Sequence, residues 1–394
     1  MFGYHGAMQA LTSPLEALAA ARERVVAVDR PDLATVALTG ADVLRYLHAV
    51  CTQHTADLRP GDATQALLLS PKGKIELAFR LAVLDGGVLL DADAEAAQAL
   101  AARLARFVFR YDVAVAQPAA GAATLLGPGA DAALTAAGLP APAAGRVAIV
   151  GPELVVHRTP VGVDLVGPGA TAAAARLEQA GVGRAAAELW ELVRVEQGLP
   201  RAGRELTDDV LAEEAGLLGS HVHLDKGCYP GQETVARVHN LGQVQRRLAG
   251  LRFQPASRQY PDARPAGGRD PDTQRASRQY PDARPTGGRD SDTQPASRQY
   301  PDAQPAGGRD PDAQPASRRD PDAQPGGGEG WDDLPAPRTD LVTEDGRRAG
   351  QLRSVVRHPE LGPIGLAYVR RVVEPGRLVI ADGRLATVVE LPFA

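Results

Sequence analysis

The sequence predicts an α+β protein in which two mixed α/β domains are followed by a small antiparallel β-barrel. Up to about residue 240, apolar residues switch repeatedly between the two-residue period of strands and the longer period of helices. From residue 338 to 394, strand-like runs flank Asp-Gly turns, which is the pattern of hairpins. Between these regions, residues 256–325 repeat a 20-residue unit with almost no apolar side chains. We therefore expect three folded parts and one insertion.

The first mixed domain is predicted over residues 23–118, after an N-terminal extension of residues 1–22. Its β-branched and apolar runs predict strands at 24–28, 34–38, 66–69, 75–84, 88–90 and 113–115. Asp85-Gly86-Gly87 is a hairpin turn between two of these strands, and Gly40-Ala41-Asp42 opens a helix. A second helix, over 94–107, carries Leu100, Leu104 and Phe107 on one face, so it can cover the sheet.

The second mixed domain is predicted over residues 119–240. Short strands are expected at 124–126, 147–150, 154–157 and 163–166. Gly127-Pro128-Gly129 and Gly167-Pro168-Gly169 each precede an alanine-rich run, and we interpret both as turns that start helices rather than as phosphate loops. A longer helix over 185–197 places Glu196 beside an apolar stripe at spacings of three and four residues.

The barrel is predicted from residues 241–255 and 338–394, on either side of the insertion. Its strands are expected at 244–253, 339–342, 349–356, 364–369, 377–380 and 386–391, with hairpin turns at Asp345-Gly346 and Asp382-Gly383. Residues 256–337 hold the repeats and a linker. Pro, Gly, Asp and Arg dominate this segment, so it cannot offset its ordering entropy and is expected to be disordered. We interpret it as a tolerated tandem expansion, with a charged docking arm as the alternative.

The composition argues against several classes of protein. The 394 residues carry a formal charge of −5 and a pI near 5.9, which argues against direct nucleic-acid binding. Cys51 and Cys228 lack the spacing of a metal cage or a disulfide framework, so a reducing cytoplasm and no resident metal are predicted. No apolar run of about 18 residues is present, so no membrane contact is expected. A monomer is expected.

Reactive chemistry is concentrated between Asp225 and Arg237, where one of the two cysteines lies. Lys226 and a helix start at Gly231 would both stabilise a thiolate of Cys228, because an ammonium group and the positive end of a helix dipole attract negative charge. Gly227 has no side chain, so a ligand or another backbone can approach the sulfur closely. The alternative is that Cys228 packs as a small hydrophobic residue, as free cysteines usually do.

The string KGCYPGQE at residues 226–233 resembles the KGC(Y/F)xGQE signature of the YgfZ family of folate-binding proteins. Residues 194–198, RVEQG, resemble that family's RIExGxP segment, and residues 350–371 resemble its C-terminal segment. The family is related to the T-protein of the glycine cleavage system. The resemblance implies a T-protein-like three-domain ring and a tetrahydrofolate cofactor. It also implies a role in iron–sulfur cluster assembly or repair, with iron–sulfur client or assembly proteins as partners.

The resemblance further implies site residues. Cys228 is the expected working thiol, which would ligate iron or exchange with a disulfide or persulfide. Glu196 is the expected partner of the pterin ring, because one carboxylate can accept two adjacent N–H donors; the alternatives are a solvated charge or an ion pair with Arg194. Cations for the anionic folate tail are expected from Lys226, Arg237 or Arg370. The other predicted folate-binding residues are Gly227, Tyr229, Gly231, Gln232 and Glu233.

One departure from the T-protein pattern bears on the reaction. The aminomethyltransferases carry adjacent aspartates a few residues after a Gly-Gly pair in an early strand, and Leu77 and Ala78 align with them. Glu76 lies one position too early, and a one-residue shift turns a strand side chain to the opposite face unless a bulge intervenes. Folate-dependent aminomethyl transfer is therefore the first alternative function. A folate-binding scaffold without chemistry, in which Cys228 only packs, is the second.

Overall fold

The computed structural model describes residue 11 and residues 13–143, 146–151, 153–242, 244–254 and 334–393. All of them belong to one compact unit, formed by Met1–Pro265 and Gly330–Ala394. The repeats at 256–325 lie outside the described residues, so their disorder stays a prediction. None of the helices in the described ranges is long and apolar enough to cross a bilayer.

Helices and strands alternate along the first part of the chain, and strands dominate its end. The helices are α1 (Pro14–Glu23), α2 (Val43–Val50), α3 (Ala94–Ala105), α4 (Ala130–Ala136), α5 (Ala170–Gln179), α6 (Glu188–Glu196), α7 (Leu218–His221) and α8 (Gln232–Leu241). The strands before the insertion are β1 (Val26–Asp29), β2 (Leu33–Thr39), β3 (Ala63–Leu69), β4 (Ile75–Leu84), β5 (Gly87–Asp93), β6 (Ala114–Val115), β7 (Ala119–Ala120), β8 (Ala122–Leu126), β9 (Val147–Ile149), β10 (Val155–Thr159), β11 (Gly162–Val166), β12 (Gly183–Ala185) and β13 (Arg246–Phe253). Those after it are β14 (Asp340–Thr343), β15 (Arg348–His358), β16 (Gly362–Arg370), β17 (Leu378–Ala381) and β18 (Arg384–Val389).

Two predicted helices have different boundaries in the structure. The helix expected over 185–197 begins only at Glu188, because residues 183–185 form β12 and pair with β1 in parallel. The helix expected over 94–107 ends at Ala105 and is followed by a 3₁₀ turn, Val108–Arg110. In both places other backbone structure replaces a terminal turn that the apolar pattern predicted.

The first sheet has the strand order β3-β4-β5-β2-β6, and β7 also pairs with β2. Helices α2 and α3 pack on one of its faces. The core on this side includes Leu77, Phe79 and Leu81 of β4 and Leu100 and Leu104 of α3. Because successive side chains of a strand point to opposite faces, the alternate residues of β4 are left to face the rest of the molecule.

The second sheet has the order β12-β1-β8-β11-β10-β9, so β1 belongs to it although β1 precedes the first sheet in the chain. Helices α4 and α5 cover one face through alanines and leucines. Side chains from both sheets meet in a shared apolar cluster that includes Ala82, Leu89, Val147, Val155 and Val166. The two sheets are therefore packed against each other through β4 and β5 on one side and β9 to β11 on the other.

The last part of the chain forms a closed antiparallel barrel in the order β13-β16-β15-β14-β17-β18. The segment between β13 and β14 contains the repeats, as the sequence predicted. Both predicted hairpin turns are present, and Asp382 and Gly383 have φ values of 50° and 73°. Positive φ at two successive residues is the geometry of the tight hairpin turns that Asp-Gly favours. The predicted combination of two mixed α/β parts and an antiparallel barrel is confirmed.

Candidate functional site

A cavity of about 460 Å³ is lined by residues from both sheets. Strands β4, β5, β10 and β11, helix α6 and residues 198–221 supply most of the lining. The apolar lining includes Leu33, Ala78, Val161, Trp190, Leu199, Leu206 and Leu217. The volume of the cavity falls within the range of roughly 300–1,000 Å³ that is usual for small-molecule sites.

A buried ionic cluster joins the two sheets at this cavity. Arg80 of β4 lies 2.5 Å from Asp91 of β5 and 2.5 Å from Asp164 of β11. Thr124 donates from Oγ1 to Asp164 at 2.6 Å and accepts from Arg30 Nη1 at 2.9 Å. Burial alone would raise the pKa of Asp164, but Arg80 and Arg30 outweigh it and lower that pKa. Asp164 is therefore an anion at neutral pH, held by Arg80.

A second set of ion pairs also lies at the cavity. Arg194 of α6 is 1% exposed, and it pairs with Glu191 and, at 3.1 Å, with Glu205. Arg201 Nε lies 3.1 Å from Asp93 Oδ1, while the backbone N–H of Ala202 donates to Asp93 Oδ2 at 2.7 Å. Burial raises the pKa of Asp93 in spite of these contacts. Asp93 is thus a carboxyl group at the cavity that protonates more readily than an ordinary aspartate.

Two buried polar atoms of the cavity wall have no hydrogen-bond partner among the described residues. They are His157 Nδ1 and Thr159 Oγ1, both on β10. Arg80 Nη2 also lacks an aligned acceptor, although it lies 2.5 Å from Asp91 Oδ2 and so takes part in the ion pair. Burial and the nearby Arg80 charge lower the pKa of His157, which is therefore neutral at pH 7. Buried polar groups are normally paired, so these two atoms indicate a ligand or ordered water.

The Cys228 loop, which we define as residues 225–231, lies outside this lining. Cys228 is exposed, whereas Cys51 is buried. The Lys226 ammonium is buried and donates to the carbonyl oxygens of His48 and, at 2.6 Å, of Cys51. These two carbonyl groups lie at the carboxyl end of α2, where a cation is favoured by the helix dipole. The contacts of Lys226 thus fasten the loop to α2, a role that the sequence did not predict.

The predicted helix start after the loop is confirmed. Gly231 precedes α8 with φ at 83°, and a Cβ there would lie 2.5 Å from the carbonyl oxygen of Ser70. Only glycine therefore fits between the loop and the turn that leads into β4. Lys226 also contacts a ring within the loop, since its Nζ lies 5.0 Å from the centroid of Tyr229. The position of Cys228 is set by the anchors at Lys226 and Gly231 on either side of it.

The remaining predicted folate-binding residues do not line the cavity either. Gln232 Nε2 donates to the Lys226 carbonyl at 3.5 Å, and Glu233 pairs with Arg237 at 2.7 Å on the exposed side of α8. Arg370 is the last residue of β16, where its backbone lies opposite that of Arg246 in the neighbouring strand β13. Gly227 is in the loop, and a Cβ added to it would meet no atom within 4 Å beyond its chain neighbours.

Glu196 has a different partner from the two that were expected. Its Oε1 lies 2.7 Å from Arg22 Nη2, and its Oε2 lies 3.5 Å from His358 Nε2. Arg194, the ion-pair partner considered from the sequence, is held by Glu191 and Glu205 instead. The Glu196 carboxylate therefore joins α1, α6 and the barrel, and its place as the pterin partner stays a prediction that these contacts do not support.

The early strand contains the bulge that was considered from the sequence. Leu68 pairs with Leu77 and Leu69 pairs with Ile75, so Glu76 is the extra residue on β4. The bulge brings Glu76 to Arg103 of α3, at 3.1 Å, and not to the cavity. Ala78 does line the cavity. The cavity wall is thus apolar at the position that aligns with the second aspartate of the aminomethyltransferases.

The polar residues of the cavity were not predicted from the sequence. Arg80, Asp91, His157, Thr159 and Asp164 all lie within or at the end of runs that are otherwise typical of apolar strands. A charged residue inside such a run is a signal, because a buried charge needs a partner. The signal does not reveal which partner, since the residues are far apart in the chain.

No protein-family model matches the chain. Among solved structures, it is similar to the crystal structure of glycine cleavage system aminomethyltransferase T from Bartonella henselae, with a TM-score of 0.69 and 19% identity. That match covers 97% of this chain and 90% of the other. The chain therefore has the fold of that aminomethyltransferase.

Two curated proteins match short segments of the chain. The putative chloroplastic transferase At1g60990 from Arabidopsis thaliana is 47% identical over 62 residues, which is 16% of this chain and 14% of the relative. The mitochondrial iron-sulfur cluster assembly factor IBA57 from Homo sapiens is 40% identical over 70 residues, which is 17% of this chain and 20% of the relative. The chain thus spans a fifth or less of the length of these relatives.

Proposed function

We propose that the protein binds tetrahydrofolate in the 460 Å³ cavity and supports the assembly or repair of iron–sulfur clusters through Cys228. The observation that carries the proposal is the cavity itself, which has apolar walls and buried polar atoms without partners among the described residues. The fold shared with an aminomethyltransferase T supports a folate ligand. The segment shared with an iron-sulfur cluster assembly factor supports the cellular role.

The residues present fit the chemistry of a folate. A pterin ring is flat and has hydrogen-bond donors and acceptors along one edge, so it needs apolar surfaces above and below and polar atoms beside it. Trp190, Leu199 and Leu217 supply apolar surface, and His157 and Thr159 supply the polar atoms. When bound, tetrahydrofolate supplies amine nitrogens that can carry a one-carbon unit.

Cys228 supplies the thiol in this proposal. It is exposed on a loop whose two ends are held by buried contacts, so a partner protein can reach the sulfur while the loop stays in place. A thiolate is a ligand for iron and a nucleophile toward disulfides. Iron–sulfur clusters generally use four protein ligands. One exposed thiol supplies a single ligand, so the others would come from the partner.

Aminomethyl transfer remains the second candidate, because one carboxyl group of the cavity has the character of an acid. Ala78 occupies the cavity wall where the second aspartate of the transferases aligns, and it cannot act as an acid. Glu76 pairs with Arg103 and does not line the cavity. Asp93, however, lines the cavity and has a raised pKa, which suits a group that exchanges protons. Methylene-tetrahydrofolate formation from an aminomethylated carrier protein, abolished by Asp93→Asn, would establish the transferase.

The test of the proposal combines binding with a cellular assay. Trp190 lies in the cavity wall, so its fluorescence should change when tetrahydrofolate is titrated anaerobically into a Trp331→Phe protein, in which it is the remaining tryptophan. Deletion of the gene should lower the activity of several iron–sulfur enzymes and leave glycine cleavage intact. No saturable binding would overturn the folate assignment. Loss of glycine cleavage alone would favour the transferase.

A further inference from the structure

The charges that line the cavity are already paired with one another. Arg30 holds Asp32 through two hydrogen bonds of 2.8 and 3.0 Å. The other cationic residues of the lining and their partners are Arg80 with Asp91 and Asp164, Arg158 with Asp131, Arg194 with Glu191 and Glu205, and Arg201 with Asp93. No charged side chain of the described lining is therefore free to attract an ion from a ligand.

His221 and His157 do not change this balance. Burial lowers the pKa of His221 to about 4, and burial with the nearby Arg80 lowers that of His157. Both rings are neutral at pH 7. A carboxylate or phosphate placed in this cavity would lose its hydration and find no unpaired cation among the described lining residues, which is unfavourable. The lining therefore suits the neutral pterin ring of a folate, whose anionic tail would lie outside the cavity.

His157 and Thr159 are arranged to contact one ligand edge together. They are two residues apart on β10, so their side chains lie on the same face of the strand. His157 is 7% exposed, and both its Nδ1 and Thr159 Oγ1 are buried without a partner among the described residues. A neutral imidazole nitrogen either donates or accepts, and a hydroxyl group does both. The pair therefore fits a neutral edge that presents a donor beside an acceptor.

We propose that His157 and Thr159 are the specificity-determining residues of the cavity and hydrogen-bond the neutral edge of a pterin ring. This inference rests on the proposed folate function and assigns the recognition to β10. Glu196 and the Cys228 loop, which the sequence indicated, have no part in it. The charged residues around the cavity hold the sheets together, and the two unpaired atoms select the ligand.

The experiment measures dissociation constants of the full-length protein for three ligands: tetrahydrofolate, 6-methyltetrahydropterin and p-aminobenzoylglutamate. The pterin fragment is expected to bind and to compete with tetrahydrofolate. His157→Phe and Thr159→Val should each weaken both pterin-containing ligands by the same factor, about 3- to 10-fold, because each removes one hydrogen bond. His157→Gln and Thr159→Ser, which keep polar atoms, should restore most of the affinity.

Matched controls are His239→Phe on the exposed side of α8 and Thr171→Val on the exposed side of α5, neither of which lines the cavity. Thermal unfolding shows whether each variant is folded. Unchanged affinity of folded His157→Phe and Thr159→Val would overturn the inference while leaving folate binding in place. Binding of p-aminobenzoylglutamate alone would also overturn it. If the wild type bound none of the three ligands, the proposed function itself would fail.

Discussion

The cavity and the Cys228 loop differ in how they use buried charge. In the cavity, cations and carboxylates from both sheets pair with each other, as Arg80 does with Asp91 and Asp164. In the loop, one buried ammonium, that of Lys226, is held by carbonyl oxygens at the end of α2, and the thiol of Cys228 stays exposed. Under the proposed function, ligand binding and thiol chemistry would therefore reside in separate places and could be changed independently.

The largest expected effect separates the two cysteines. Cys228→Ala should abolish complementation of a deletion strain and leave unfolding and tetrahydrofolate affinity unchanged, because the side chain is exposed and outside the cavity. Cys51→Ala should keep function and lower stability by about 1 kcal/mol, since it removes a buried side chain. Burial raises the pKa of the Cys51 thiol, so a thiol reagent at pH 7 should label Cys228 alone. Complementation by Cys228→Ala at normal expression would refute the role of this thiol.

The next effect concerns the ionic cluster of the cavity. Arg80→Met leaves Asp91 and Asp164 buried without their cation, which should lower the free energy of unfolding by about 3–5 kcal/mol. Arg348→Ala, which removes an exposed ion pair with Asp340, is the control and should cost at most about 1 kcal/mol. Urea unfolding followed by circular dichroism measures both. Equal losses for the two variants would mean that the cluster does not hold the sheets together.

A smaller effect is expected from the anchor of the loop. Lys226→Met removes two hydrogen bonds from a charged donor and should cost about 2 kcal/mol of stability. Amide hydrogen exchange of residues 223–231 should accelerate, while tetrahydrofolate affinity stays unchanged. Lys72→Met, at an exposed lysine, is the control. A tenfold loss of folate affinity without faster exchange would show that Lys226 contacts the ligand, as the sequence predicted.

The last effect depends on pH. His221 lines the cavity and has a pKa of about 4 in the folded protein, against an ordinary value of 6.5. The unfolded chain therefore binds this proton more tightly. The stability that neutral His221 contributes is complete above pH 6.5 and is lost as the pH falls toward 4, by about 1–3 kcal/mol. Unfolding of wild type and His221→Gln between pH 7.5 and 4.5 measures this. Parallel curves would exclude His221 as the cause.

Much of the fold could be predicted from local patterns. Asp382-Gly383 and Asp345-Gly346 identified two hairpins, because few residues tolerate the backbone of a tight turn. The apolar run of β4 identified the strand, whose bounds match the prediction. The first turn of the helix predicted at 185 was wrong, because β12 gains its hydrogen bonds from β1, which lies more than 150 residues earlier. Periodicity contains no information about such a partner.

By itself, the sequence determined most of the strands and the two Asp-Gly hairpins, since each depends on residues close together in the chain. Only the tertiary structure decided where the cavity lies and what lines it. Arg80 finds Asp164 across 84 positions, and Lys226 reaches Cys51 across 175. A buried charge must be paired, but many carboxylates and carbonyl groups can satisfy it. The choice among them is made when the two sheets pack, because packing brings together groups that no local pattern relates.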